Sequence, residues 1–360
     1  MNHPQPAALL SRRSAAGKRR KEPSMSHKTT TVADVLSALD KICAGRLIKR
    51  AEDAFGQGNP FVVVKTSHLP GKAVTETPGL VVGNPEKPVR KLAVSMTLTE
   101  SQIELAGATG VDAIVCHHPV ADAASSGGVP LRGYVGLYDL AVFEAHEAFH
   151  GRHPGIAFIH GHKPFRVEIA YGGLPGNIMF IGKALEDVKT VGDILERLGR
   201  FCDFEREESF LELERREREC TEIHETCIAV PPQVLCGSRD ARVNLVVHFF
   251  PHTGFTPDHL RQAKREHPDI DTAIVSISRV KGDHPLVQTA RDLGLNMIAG
   301  NSHALEILEN GLPLAFALQE LLPGVEIFLF RERVTSVPIS RFSSETVRQY
   351  GRKMAVHLLK

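Results

Sequence analysis

The six cysteines, Cys43, Cys116, Cys202, Cys220, Cys227 and Cys236, contain no CxxC pair. Scattered thiols of this kind give neither a disulfide framework nor a cysteine-type zinc site, and they read as free thiols of a reducing compartment. No apolar run approaches the roughly 20 residues that span a bilayer, and the basic N-terminus is followed by no apolar segment or cleavage signal. The expectation is a cytoplasmic protein without membrane segments. A net charge of +1 offers no bulk attraction to nucleic acid or anionic lipid. There is no Walker-type phosphate loop and no nucleophile elbow; Gly172, Gly173 and Gly176 follow neither spacing and read as a turn.

What the chain does have is length and apolar content. Its 360 residues, 42% of them apolar, support two domains, or one with a large insert. Residues 1–30 carry Arg12, Arg13, Lys18, Arg19, Arg20 and Lys21 and few large apolar side chains, so a solvated, disordered basic tail is expected, with Met25 as an alternative start. An amphipathic helix is expected from Val32, and strand-like alternation from Phe61 to Gly83. A strand–helix–strand unit follows: Arg90 to Met96, a helix capped by Thr99 and stopped at Gly110, then Asp112 to Cys116. The pattern next suggests a helix from about Gly136 to Phe149 and a short strand from Gly155 to Ile159.

Residues 178–252 differ in texture, with a charged stretch from Glu205 to Glu219, and are expected to form an inserted α+β subdomain. The α/β rhythm returns with Thr272 to Ile277, Pro285 to Leu293, Leu295 to Ala299, a helical stretch from Ser302 to Leu322 interrupted near Gly311, and a last strand from Val325 to Phe330. The division implied is a metal-binding α/β domain in two parts, 31–177 and 253–345, around the insert, with a C-terminal extension at 346–360.

Candidate chemistry lies in histidines at element ends. VDAIVCHHP, Val111 to Pro119, puts His117 and His118 where a buried strand runs out, the edge at which open α/β sheets collect ligands. Adjacent imidazoles leaving a strand diverge, which suits two metal ions better than one; a plain His-His-Pro turn is the bland alternative. Near the C-terminus His303 and Glu306, three apart, share a helix face and offer the nitrogen and carboxylate set that suits Zn, Mn or Fe. His160 and His162, two apart, would share a face if they close a strand. Residues His146 to His150 spell HEAFH, a literal HExxH. No third ligand stands at a zincin spacing, and a helix there would carry His150 to the edge opposite His117. The spacing therefore favours His162 over His150 as the neighbour of HHP.

The stretches GLVVGNPEKPVRKLAVSMTLTESQIELAGATGVDAIVCHHP, DTAIVSISRVKGDHPLVQTARDLGLNMIAGNSHALEI and VEIFLFRERVTSVP resemble the Nif-three-like dinuclear metal-centre proteins, also described as type 2 GTP cyclohydrolase I homologues. That resemblance implies two similar α/β lobes with mixed sheets flanked by helices, a middle insertion, a hexameric ring, two divalent metal ions and hydrolysis of a small, nucleotide-type substrate. His117 and His118 match the paired histidines, His162 with Pro164 fits the later motif, and Glu306 matches the C-terminal carboxylate. Two positions depart: Arg166 stands where the family has an aspartate, and Asn301 and Ser302 where it has a histidine. His160 and His303 are then substitute ligands. If HEAFH instead holds the central position, His150 takes the aspartate's place. A metal-handling scaffold acting through partner proteins is the reading from a different class.

Overall fold

The computed structural model describes residues 29–54, 59–66, 73–120, 131–202, 204–217, 224–225, 232–276, 280, 282–300, 306–331, 335–336, 338–341, 345–346, 348–349 and 352. The tail at 1–28 and His303 lie outside them. In chain order the first half runs α1 (Val32–Ile42), β1 (Val63–Thr66), β2 (Ala73–Glu76), β3 (Gly79–Val82), β4 (Lys91–Ser95), α2 (Glu100–Thr109), β5 (Ala113–Cys116), α3 (Leu131–Leu137), β6 (Ala141–Glu144), α4 (Gly155–Ile159) and β7 (His162–Glu168). The second half runs β8 (Met179–Ala184), α5 (Val191–Cys202), α6 (Phe204–Glu217), β9 (His224–Glu225), β10 (Gln233–Cys236), β11 (Leu245–Phe249), α7 (Pro257–Glu266), β12 (Thr272–Val275), α8 (Pro285–Asp292), β13 (Asn296–Ala299), α9 (Leu312–Leu321), β14 (Glu326–Leu329) and β15 (Thr335–Ser336).

Two mixed sheets organise these elements. The first has the order β14-β4-β5-β6-β3, parallel except for β3. Side chains alternate across it: Leu92, Val94, Val115 and Phe143 pack under α1 and α9, while Ala93, Ile114 and Val142 meet α2 and α3 on the other face. Helices cover both faces, which is why these strands read as unbroken apolar runs. The second sheet has the order β10-β13-β12-β11-β8-β7, with β11, β12 and β13 parallel and the rest antiparallel. Leu260, Ala263, Leu286 and Val287 of α7 and α8 cover one of its faces, and Ile194 and Leu198 of α5 the other. The expected boundaries at 177/178 and 252/253 fall inside this sheet, because β8 and β11 hydrogen-bond to each other and to β7 and β12.

Local signals set several of the element ends. The Thr31 side chain accepts from Asp34 N and the Asp34 carboxylate from Thr31 N, a capping box that starts α1. Thr99 caps α2, and Gly110 ends it at φ +67°, a conformation glycine adopts without a Cβ penalty.

Two expected elements are replaced. The helix expected over about Gly136 to Phe149 is α3 followed by β6, the chain turning at Asp139 with φ +47°. The strand expected at Gly155 to Ile159 is the short helix α4. Residues 140–150 are all buried, so periodicity there does not separate helix from strand, and the five residues of Gly155–Ile159, with Phe158 exposed, are too few for a period to decide.

Candidate metal centre

The parallel ladder fixes where the histidines leave the first sheet. Ser95 pairs with Cys116 and Cys116 with Glu144, so β4, β5 and β6 end flush. The ladder continues one step further: His117 N donates to Ser95 O at 2.9 Å, His118 N to Met96 O at 2.7 Å, and Ala145 N to Cys116 O at 3.0 Å. HEAFH then folds as one turn, with Phe149 N and His150 N both donating to His146 O. That turn sits at the end of a strand parallel to β5, and therefore at the same edge as HHP. The expectation that His150 lies at the opposite edge is corrected, since it rested on a crossover helix that β6 replaces. Ring centroids of His117 lie 5.1 Å from His146, 5.2 Å from His150 and 5.5 Å from His118.

Each buried imidazole of this group is held by an oxygen. His117 Nδ1 donates to Ala145 O at 3.1 Å, His146 Nδ1 lies 3.0 Å from Glu76 Oε2, and His150 Nδ1 lies 3.2 Å from Glu147 Oε2. Carbonyls and ionised carboxylates only accept, so these contacts place the proton on Nδ1 and leave the Nε2 lone pair for another partner. His118 Nδ1 is 3.0 Å from Thr97 Oγ1, and its Nε2 is 2.8 Å from Glu306 Oε2. Glu306 reaches the edge from the residue that opens a π-helical turn at Ile307–Gly311, a local irregularity often found at functional sites. Burial, with His150 and His118 as neighbours, pushes the His117 pKa well below its ordinary value and keeps that ring neutral, the form that binds metal.

His160 and His162 are placed elsewhere. His160 is the C-cap of α4 and His162 opens β7, so they do not share a strand face. Both rings pack instead against His248 of β11, at centroid distances of 4.4 and 5.4 Å, and His162 Nε2 is 3.2 Å from His248 Nδ1. All three are 0% exposed, and among the described residues His160 Nε2, His162 Nδ1 and His248 Nε2 have no hydrogen-bond partner. A Cβ added to Gly300 would stand 2.3 Å from His160 Nε2, and one added to Gly182 2.4 Å from His162 Nδ1, so those two nitrogens face glycine backbone rather than a cavity. Burial lowers the pKa of His160 to about 4 and of His162 to about 3. Arg166 turns outward to Glu168 and Glu266. The histidine motifs thus divide between two sheets: HHP, HEAFH and Glu306 meet at the edge of the first, and the His160 and His162 pair packs against the second.

Sequence reasoning missed Glu76 and His248. Neither stands in a recognisable motif, and Glu76 is 70 residues from the histidine it contacts. Parity of buried positions in β11 gives no cue either, because all five of its residues are buried.

The donor set fits a metal ion. Donor atoms of His117, His118 and His146 lie within 4.8 Å of one another, as do those of His146, Glu147 and His150. Two nitrogen ligands on one tetrahedral ion are about 3.3 Å apart, so modest side-chain rotations close either group. Glu76, Glu147 and Glu306 are buried beside the imidazole rings, and a cation offsets the cost of keeping such carboxylates ionised.

Residues 65–124, which include HHP, match the family model Duf34/NIF3 (NGG1p interacting factor 3). No curated protein sequence matches the chain. Among solved structures, a Bacillus cereus protein related to NIF3 is 14% identical and superposes with a TM-score of 0.52, covering 85% of this chain and 98% of its own. The Staphylococcus aureus hypothetical protein SA1388 is 12% identical with a TM-score of 0.51, covering 84% and 97%. At such identities the structural likeness speaks for the fold alone. Among the described residues, no helix is long and apolar enough to cross a membrane. The HHP segment lies inside the stretch that resembles the NIF3 family, and the fold around it is like that of a NIF3-related protein.

Proposed function

We propose that the chain is a metal-dependent hydrolase whose centre holds two divalent ions, Zn, Mn or Fe, at the end of the first sheet. The observation that carries this reading is the pair of buried donor groups, His117 with His118 and His146, and Glu147 with His146 and His150, which share one imidazole. Glu306 adds a carboxylate beside His118. Bound divalent ions supply Lewis acidity there, lowering the pKa of water and polarising a substrate oxygen. The chain's own part is to hold the donors: Ala145 O, Glu76 and Glu147 keep protons on three Nδ1 atoms, and Glu306 lies against His118. A small substrate of the nucleotide class and a ring-shaped homohexamer follow from the family resemblance.

One observation favours the second reading, a metal-handling scaffold: all the donors are buried, and a closed shell suits holding a metal better than turning over a substrate. A hydrolase screen against nucleotide substrates, run on zinc-, manganese- and iron-reconstituted protein and on chelated protein, separates the two. Chelator-sensitive release of product supports the hydrolase. Stoichiometric metal without turnover across the panel supports the scaffold.

A further inference from the structure

His146 is common to both donor groups, so its tautomer decides whether it can serve either. The acceptor at its Nδ1 is Glu76 Oε2 at 3.0 Å; Glu147 Oε1, at 3.7 Å, is beyond hydrogen-bond range and its other oxygen is given to His150. Glu76 closes β2, the second strand of an antiparallel hairpin laid down before β3. Its position is fixed by a second buried carboxylate. Glu144 Oε1 accepts from Thr77 N at 2.9 Å and Glu144 Oε2 from Val120 N at 3.0 Å, so one side chain ties the backbone just after Glu76 to the backbone just after HHP.

We propose that Glu76 is a positioning residue of the centre: its carboxylate holds His146 as the Nδ1–H tautomer and aims the Nε2 lone pair at the ion. This rests on the metal centre proposed above. A carboxylate on the far nitrogen of a ligating imidazole fixes ring orientation and raises the basicity of the near one, and its loss typically lowers metal affinity 10- to 100-fold.

The test uses the full chain as wild type, Glu76→Gln, Glu76→Ala, His146→Ala and the Glu76→Ala/His146→Ala double variant. Zinc affinity is read by competition with a chromophoric chelator, and the His146 tautomer by ¹⁵N ring shifts in metal-free protein. Expected are an Nδ1–H ring in wild type that is lost in Glu76→Ala, zinc binding weakened about 10- to 100-fold in Glu76→Ala and less in Glu76→Gln, and no further loss when Glu76→Ala is added to His146→Ala. Wild-type affinity in Glu76→Ala, an unchanged tautomer, or full additivity with His146→Ala would overturn the proposal. If Glu76→Ala does not fold, Glu76→Gln decides by itself: weaker zinc binding at an unchanged melting temperature supports the role, and unchanged binding refutes it. Failure of the wild type to bind zinc would count against the centre, while the tautomer in metal-free protein would still decide what Glu76 does.

Discussion

Cys116 of β5 stands opposite Glu144 of β6 in parallel register, and that pairing brings His117 and His146, each a residue or two further on, within 5.1 Å of each other. Two motifs that look unrelated in sequence become one cluster because two strands end together. The consequences can be measured.

His117→Ala combined with His118→Ala should remove most of the bound metal while the far-ultraviolet circular dichroism stays native. Both side chains follow the last ladder residue of β5, so truncation leaves the strand's own packing in place. Elemental analysis that still finds wild-type metal content in the double variant would put the centre elsewhere.

His150→Ala should weaken zinc binding at least 10-fold, the lower range for lost support of a ligand, whereas His162→Ala should leave zinc affinity unchanged. The His162 ring packs against His248, and its removal should instead cost about 1–3 kcal/mol of stability in chemical denaturation, as truncation of a buried side chain does. The reverse ranking in a zinc titration would restore the order that sequence spacing alone suggests.

That reversal shows where sequence reasoning stops. The unit from Arg90 to Cys116, with Thr99 and Gly110 as its helix ends, could be read because capping residues and a short apolar strand are local signals. His117, His118 and Glu306 stand out as candidates on equally local signals, a strand end and a helix face. HEAFH was misplaced because residues 140–150 are buried throughout, which erases the periodicity that distinguishes β6 from a helix. Misreading α4 as a strand then lent His160 and His162 a shared face they do not have. Glu76 was out of reach, since its role depends on a hairpin packing against a strand end far along the chain.

Gly182→Ala should destabilise the second sheet. Its new Cβ would stand 2.4 Å from His162 Nδ1 and 2.7 Å from Lys163 O, and backbone cannot yield as a flexible side chain can. Overpacking of this kind costs about 1–3 kcal/mol. A melting temperature equal to that of the wild type would show that the two strands separate more easily than their register implies.

Acid should act through the second histidine cluster. His160 and His162 titrate near 6.5 when unfolded but at about 4 and about 3 when folded, because burial penalises the charged ring. The unfolded chain therefore binds more protons below pH 6.5. Stability is full above that pH and is lost as pH falls toward 4 and then 3, by about 1.4 kcal/mol per pH unit for each such histidine. Urea melts of metal-free protein from pH 8 to pH 5 should show this decline beginning near pH 6.5; a flat profile would mean that these rings are not held neutral.

The most direct test of the centre is the metal content of His146→Ala. His146 belongs to both donor groups and, held Nδ1–H, has one lone pair for an ion, so a single substitution that leaves His117, His118 and His150 in place should lose at least the ion it ligates. Elemental analysis of wild type and variant, each reconstituted with zinc and desalted, should give about two equivalents and about one or fewer. Wild-type stoichiometry in His146→Ala would contradict a centre built around that shared imidazole.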